Sequence, residues 1–280
     1  MFTNAAVFNK YSFLTFFHTK DVLEKFNKNI VYKEDKKQLI LDVGCGSGNV
    51  TTDVLLPAIP VRNFKIVGID ISESMIDFSN AHKSDWRLSF RILDISEKNE
   101  DKLKSVFTEE ELTSGFDVVY SFATLHWPTD YKQAFKNIYD LLRPGGQILV
   151  WFFGFCNFTD NWEAVKRKEK WRPYIGMQPP LTFRFHDSED VVGDVSKLIK
   201  SIGFHDVTVE CQRLNYILED KSHDYRGTLE FLAPWQEMIP KELRTEYLDD
   251  TYSAFKELTK NPDDFKFDRI VVVASKPCQA

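Results

Sequence analysis

Cysteine is scarce: 280 residues hold four, Cys45, Cys156, Cys211 and Cys278, and they stand far apart. No CxxC pair exists, so neither a zinc knuckle nor a redox dithiol is indicated, and a disulfide scaffold is not expected at this size. A block of Lys and Arg is also missing. Lys and Arg total 36 against 42 Asp and Glu, a formal net charge of −6, which argues against nucleic acid as the main partner. The densest basic run, "VKRKEK" (165–170), has Glu163 and Glu169 on and beside it and reads as a solvated helix face. Long apolar runs are lacking too. "YSFLTFF" near the N-terminus is short, is flanked by Lys10, His18 and Lys20, and has no basic segment ahead of it. Neither a signal peptide nor stable membrane insertion is expected, and the expected compartment is the cytosol. Without secretion, the "NFT" sequon at 157–159 carries no weight. The chain shows no internal repeat, low-complexity tract or long linker.

What remains is an ordinary globular composition, 43% hydrophobic and 28% charged, enough for one large domain or a domain with a cap. Phenylalanine is in excess, with 24 residues. Phe adds apolar area without a polar handle, so the excess is equally compatible with a wide apolar cavity, a greasy cap or a Phe-rich core.

The first half alternates strand and helix patterns. "QLILDV" (38–43), "FKIVGIDI" (64–71), "RLSFRILDI" (87–95), "FDVVYSF" (116–122) and "QILVWFF" after "RPGG" read as strands. "NVTTDVLLPAI", "SESMIDFSNAH" with Ser72 as its N-cap, and "TDYKQAFKNIYDLL" (129–142) read as helices. In the last of these, Tyr131, Phe135, Ile138 and Leu142 share one face. The rhythm implies an α/β doubly wound, mostly parallel sheet with helices on both faces. The second half adds a helix in "EDVVGDVSKLIKSIGF", strands in "HDVTVECQRL" and "RIVVVASK", and a helix at the end of 229–260. These late strands suit an antiparallel pair at the sheet's end. The expected organisation is one domain: an N-terminal helical lid (1–37), a core (38–153) and helical, aromatic-rich cap insertions at 154–190 and 212–262.

"LDVGCGSG" (41–48) is a strand, a glycine loop and a helix start at the first βα crossover, where doubly wound sheets bind nucleotides. Gly44, Gly46 and Gly48 let the backbone turn sharply and approach a ligand. Asp42 stands two residues before the first of them. Beside a pyrophosphate that carboxylate would be repelled, by several kcal/mol at ~4 Å and an effective dielectric of about 20. The spacing is also GxGxG rather than GxGxxG. Both features favour a ligand with an ammonium and no phosphate, such as S-adenosylmethionine (SAM). Asp70 closes the next strand and can accept both hydroxyls of a ribose; Asp94 closes the third and can accept from an adenine amino group, with Ile95 on the ring. Ile71 and Met75 can supply apolar faces near the sugar, and Cys45 and Ser121 complete the candidate cofactor set. Taken singly, Asp70 and Asp94 are equally explained as caps of the helices that follow them.

At these residues the chain resembles the class I SAM-dependent methyltransferases. "LDVGCGSG", "VGIDIS", "FRILDI", "FDVVYSFATLHW" and "LLRPGGQILV" match that family's motifs in order over roughly the first 150 residues. The resemblance implies a seven-stranded sheet with the last two strands reversed. A narrower resemblance spans nearly the whole chain: "LDVGCGSGNV", "SFATLHW", "AFKNIYDLL", "GFHDVTVEC", "APWQEMIPKELRTEYLDD" and "FDRIVVVASK" look like the arthropod juvenile hormone acid and farnesoic acid O-methyltransferases. It implies methyl transfer from SAM to the carboxylate of a sesquiterpenoid acid. Members carry a Gln in the N-terminal helix near the substrate carboxylate; here "FHTKD" (17–21) puts His18 at that place, and His can still donate to a carboxylate.

The strand exit "SFATLHW" faces the ligand crevice of such a sheet. His126 would orient a substrate oxygen, with His18 as its partner, and Trp127 would form an apolar wall. A packed structural histidine is the competing reading of His126, and a metal is not expected because no second ligand is spaced to share one with it. A carboxylic acid is already ionised at neutral pH, so its methylation needs positioning rather than a base, whereas a phenol would need one. Trp162, Trp171, Phe183, Phe185, Phe231, Leu232 and Trp235 are candidates for a tunnel holding an apolar acid, though each singly reads better as core. Two further functions remain open from sequence: methylation of a small amine or phenol, and non-catalytic binding of SAM or a lipid acid.

Overall fold

The computed structural model describes residues 5–217, 233–258 and 264–278. Seven strands form one mixed, mostly parallel sheet: β1 (Gln38–Val43), β2 (Phe64–Asp70), β3 (Leu88–Ile92), β4 (Phe116–Phe122), β5 (Leu142–Cys156), β6 (His205–Ile217) and β7 (Asp264–Ser275). Their order is β3-β2-β1-β4-β5-β7-β6, which bears out the expected class I methyltransferase sheet.

β1 is central because every residue of "QLILDV" is buried, on both faces, as a parallel strand flanked by helices requires. It pairs in parallel with β2 on one side (Ile40 opposite Ile66) and β4 on the other (Ile40 opposite Val118). The winding reverses between β1 and β4, so the carboxyl ends of these two strands frame the crevice where doubly wound sheets bind ligands. The Ser121 hydroxyl donates to the Val43 carbonyl at 2.8 Å and ties the two ends together.

The α-helices among the described residues are α1 (Ala5–Tyr11), α2 (Phe13–Phe26), α3 (Leu56–Ala58), α4 (Glu73–His82), α5 (Glu100–Lys104), α6 (Glu109–Ser114), α7 (Tyr131–Leu141), α8 (Asn157–Arg167), α9 (Arg172–Ile175), α10 (Val191–Ile202) and α11 (Arg244–Leu258). A wide π-helical turn, Thr51–Leu55, precedes α3. Ser72 stands at the N-cap of α4, yet its hydroxyl makes no capping bond; the Asp70 carboxylate takes the Ser72 N–H instead. α7 buries Tyr131, Phe135 and Ile138, while Leu142 belongs to β5, which begins at "LRPGG" rather than after it.

The described residues fall into two compact units: 5–152, 188–211 and 270–278 form the larger; 153–187, 212–217, 233–258 and 264–269 form the smaller. Three of the dividing lines lie within β5, β6 and β7, and a fourth falls between Asp187 and Ser188, ahead of α10. The smaller unit is built on α8 and α11, which pack together. There the basic run 165–170 departs from the expected solvated face. α8 stops at Arg167. Lys166 is buried, 3.3 Å from Glu163, with its ammonium over the Trp235 ring. Lys168 reaches Asp250 at 3.3 Å, and Lys170 pairs with Glu246. Lys168 and Lys170 thus meet acids far off in sequence, which local charge counting could not reveal. No helix among the described residues is long and apolar enough to cross a membrane.

Candidate active site

The glycine loop follows β1 in a conformation only glycine takes easily. Gly44, Gly46 and Gly48 have φ of 75°, 54° and 74°. The loop is anchored to β2: the Gly44 and Cys45 N–H groups both donate to the Ile69 carbonyl, at 2.7 and 3.0 Å. From the end of β2, Asp70 accepts from the Gly46 N–H at 3.0 Å and the Ser72 N–H at 2.9 Å. Burial raises the Asp70 carboxyl above the usual range, and these two N–H bonds offset part of that.

Asp42 is 2% exposed and accepts from the Thr51 hydroxyl at 2.6 Å, a residue of the π-helical turn. Burial pushes its carboxyl up to about 7, with Asp70's negative charge adding to the shift. A buried carboxyl raised further by a neighbouring acid's charge is electrostatically suited to a cationic group. Asp94 accepts from both the N–H and the hydroxyl of Ser96, at 2.8 and 2.7 Å, through Oδ1 alone. The loop that carries it is held by Asn137 of α7, which donates to the Ile95 and Glu97 carbonyls at 2.7 and 2.8 Å. Asp70 and Asp94 therefore do hold the turns that follow them, and these bonds leave Oδ2 of Asp94 open.

The N-terminal helix latches onto the glycine loop. The Ser47 hydroxyl bonds Asn9 of α1, and Asn49 donates to the Ser12 hydroxyl at 2.9 Å. The Phe8 ring approaches to 3.3 Å of where a Cβ on Gly46 would sit. Phe8, Asn9 and Ser12 escaped sequence reasoning, since their partners lie some forty residues away; two polar residues in an apolar N-terminal stretch were the available signal.

At the exit of β4, Ala123 has a φ of 52°, a left-handed conformation that is costly for a residue with a Cβ and that gathers at functional turns. Its N–H donates to the Trp151 carbonyl at 2.9 Å, and the Thr124 hydroxyl bonds the Gly44 carbonyl at 3.2 Å. The turn thus joins β5 on one side and the glycine loop on the other. It presents His126 and Trp127, whose rings lie 4.9 Å apart. His126 is buried, its carbonyl takes the Tyr131 hydroxyl at 3.0 Å, and burial holds its imidazole well below the ordinary histidine value. At neutral pH it is an uncharged ring. His18, on α2, is buried with its ring 6.1 Å from that of Trp151, whose indole N–H donates to Thr19 at 3.1 Å. Trp151 pairs with Phe122, the last residue of β4. His18 and the His126 turn thus meet the same end of the β4–β5 pair.

Four expected cofactor residues have buried side chains. Cys45 turns its side chain into the core with Ile76 and Phe90, and burial drives its thiol well above its usual value, so it is inert. Ser121 is fully buried, and its hydroxyl is spent on the Val43 carbonyl. Met75 is 1% exposed, on the inner face of α4 with Ile76 and Ser79. Ile95 is buried as well. Ile71, by contrast, is 57% exposed beside Asp70 and offers an apolar face to a ring.

In the smaller unit, Trp162, Trp171, Phe183, Phe185 and Trp235 are all buried. Trp162 packs edge-on to Phe183, Phe183 stacks with Phe153, and Phe158 stacks with Phe265 at 4.3 Å. Trp171 donates to Asp250 at 2.7 Å and clamps α11. These side chains form the unit's aromatic core, as each read singly. Phe231 and Leu232 lie outside the described residues. Among the described residues, no three His, Cys, Asp or Glu side chains are grouped so as to hold a metal.

Comparison with known proteins supplies the family. A family described as "Methyltransferase domain" matches residues 41–148, from β1 through the middle of β5. Juvenile hormone acid O-methyltransferase of Bombyx mori is 33% identical over 84% of this chain and 80% of its own length. The protein of the same name from Drosophila melanogaster is 30% identical over 82% of this chain and 75% of its own. Among solved structures, phosphoethanolamine N-methyltransferase 2 of Haemonchus contortus, in complex with S-adenosyl-L-methionine, superposes with a TM-score of 0.54 at 18% identity. That match covers 98% of this chain and 57% of that one, and shows the shared fold. With the sheet order, the glycine loop and this similarity over most of its length, the chain belongs to the class I SAM-dependent methyltransferases.

Proposed function

We propose that the protein methylates the carboxylate of an apolar small-molecule acid of the sesquiterpenoid type. The observation that carries the proposal is the uncharged, buried His126 beside Trp127 at the β4 exit. Such a ring orients an oxygen by hydrogen bonding; it is a poor base for a phenol or ammonium, which an amine or phenol methyltransferase would have to deprotonate. The extended similarity to juvenile hormone acid O-methyltransferases supports the same acceptor.

SAM supplies a methyl group activated on a sulfonium. In this reading the glycine loop gives the cofactor its close backbone approach, Asp42 faces its ammonium, Asp70 takes the ribose hydroxyls, Ile71 covers a ring face and Asp94 accepts from the adenine amino group. α1 closes over the loop through Asn9 and Ser12. His126 and His18 fix the carboxylate and Trp127 walls it off. Catalysis is then mostly alignment of the acceptor oxygen, which can supply ~7–11 kcal/mol. With a carboxylate acceptor, kcat at saturating SAM is expected to be flat from pH 6 to 9. A rise through pH 8 would assign an amine or phenol instead.

Asp42 sets a second pH dependence. Its folded value of about 7 lies above the ordinary carboxylate value near 3.9. Burial therefore favours the protonated form, and the stability this gives the ligand-free protein is lost as pH rises through 7. An ammonium beside Asp42 favours the ionised form, so cofactor binding releases its proton. The ligand's amine stays protonated to about pH 8. SAM affinity is expected to weaken up to about tenfold per pH unit below 7 and to level off above it. Titration calorimetry from pH 5.5 to 7.5 measures this; in Asp42→Asn the slope should vanish, and a flat wild-type profile would remove Asp42 from the ammonium.

A further inference from the structure

Two adjacent threonines follow the glycine loop, and their hydroxyls behave differently. Thr52 does what a helical threonine ordinarily does: its hydroxyl bonds back to the Gly48 carbonyl, four residues earlier, at 2.7 Å. The Thr51 hydroxyl instead leaves its own helix and donates to Oδ2 of Asp42, on β1, at 2.6 Å. That length falls within the about 2.5–2.7 Å of a hydroxyl donating to an ionised oxygen. Thr51 is fully buried, so bulk water does not compete for the bond. The backbone changes at the same residue. Thr51–Leu55 is wound as a π-helix, with the Leu56 N–H reaching back five residues to the Thr51 carbonyl. Such wide turns are rare and gather at functional sites. All of these residues belong to the larger unit.

What surrounds Asp42 gives the bond its consequence. Asp70, at the end of β2, adds negative charge, and burial disfavours the ionised form further. The Cys45 thiol in the loop is kept un-ionised by burial. So is the Tyr120 phenol, in register with Asp42 on β4, which donates its hydroxyl to Asn27 at 2.6 Å. Among the groups that act on Asp42, the Thr51 hydroxyl is the one that favours a charged carboxylate. We infer that Thr51 is a positioning residue for the cofactor: by donating to Asp42 it keeps that carboxylate ionised against burial and aligned with the ammonium of SAM. The inference rests on the reading that Asp42 faces that ammonium. It makes cofactor affinity at neutral pH a property of the Thr51–Asp42 pair rather than of the acid alone.

Titration calorimetry of SAM on the full-length protein, from pH 5.5 to 8, tests this. Wild type is compared with Thr51→Val, which keeps the outline of the side chain and removes the donor. Losing one hydrogen bond to a charged group moves a carboxyl by about one pH unit. Without the donor, the ligand-free protein holds the Asp42 proton to higher pH, and the cofactor must displace it. Thr51→Val is therefore expected to bind SAM about tenfold more weakly than wild type at pH 6 but within about twofold of it at pH 8. Thr51→Ser keeps the hydroxyl and should restore the wild-type profile. A second comparison holds even where valine disturbs the turn. In an Asp42→Asn background the same substitution is expected to change affinity by less than about twofold at any pH, and a full loss carried into that background overturns the inference. A wild-type profile that slopes with pH, with Thr51→Val either coincident with it or lower by one factor throughout, also overturns the inference and leaves Asp42 at the ammonium. A flat wild-type profile removes Asp42 from the ammonium and overturns both.

Discussion

A Gly44→Ala protein is expected to bind SAM more than about 100-fold more weakly than wild type. Two costs act together. The residue sits at φ 75°, where a Cβ costs an ordinary residue roughly 1–2 kcal/mol. The new methyl would also fall deep within the Thr124 side chain. Thr124 cannot retreat freely, because its hydroxyl bonds the Gly44 and Phe122 carbonyls at 3.2 and 3.1 Å and its backbone continues the left-handed turn at Ala123. Overpacking of this kind costs about 1–3 kcal/mol more. The loop relieves both by moving, and it then gives up the Gly44 and Cys45 bonds to Ile69 that shape the cradle. Equilibrium dialysis with labelled SAM measures the loss, and circular dichroism establishes that the sheet remains. An affinity within threefold of wild type would mean that this loop does not hold the cofactor.

His126→Ala should show the opposite division: turnover lower by about two orders of magnitude, the penalty for a reactant misplaced by about an ångström, with SAM affinity within about twofold of wild type. The imidazole is buried and uncharged at the β4 exit, and in the proposed function it acts as a positioning donor. His126→Asn keeps a donor at similar reach and should recover part of the lost turnover, which a general-base role would not allow. Turnover unchanged in His126→Ala would make His126 a packed structural residue, with its carbonyl serving Tyr131.

Strands were readable because their signal is local: "QLILDV" and "FDVVYSF" are apolar without interruption, and in the structure every residue of both is buried. The places of Asp42, Asp70 and Asp94 at or just past the ends of their strands were readable for the same reason. Side-chain direction was not readable. Cys45 and Ser121 sit among cofactor motifs, but one turns into the core and the other spends its hydroxyl on Val43. Contacts between distant segments were also hidden. The pairing of Asn9 with Ser47, of Lys168 with Asp250 and of Asn137 with the Ile95 loop depends on tertiary packing that no window of sequence reports. The left-handed turn at Ala123 left no trace either, since alanine carries no signature of such a conformation.

The most direct test of carboxylate methylation is the product itself. Wild-type protein incubated with methyl-labelled SAM and a panel of isoprenoid acids, fatty acids, phenols and amines is expected to give a labelled, base-labile methyl ester of an isoprenoid acid, identified by mass spectrometry. Label found only in base-stable methyl amines or aryl ethers would contradict the carboxylate acceptor.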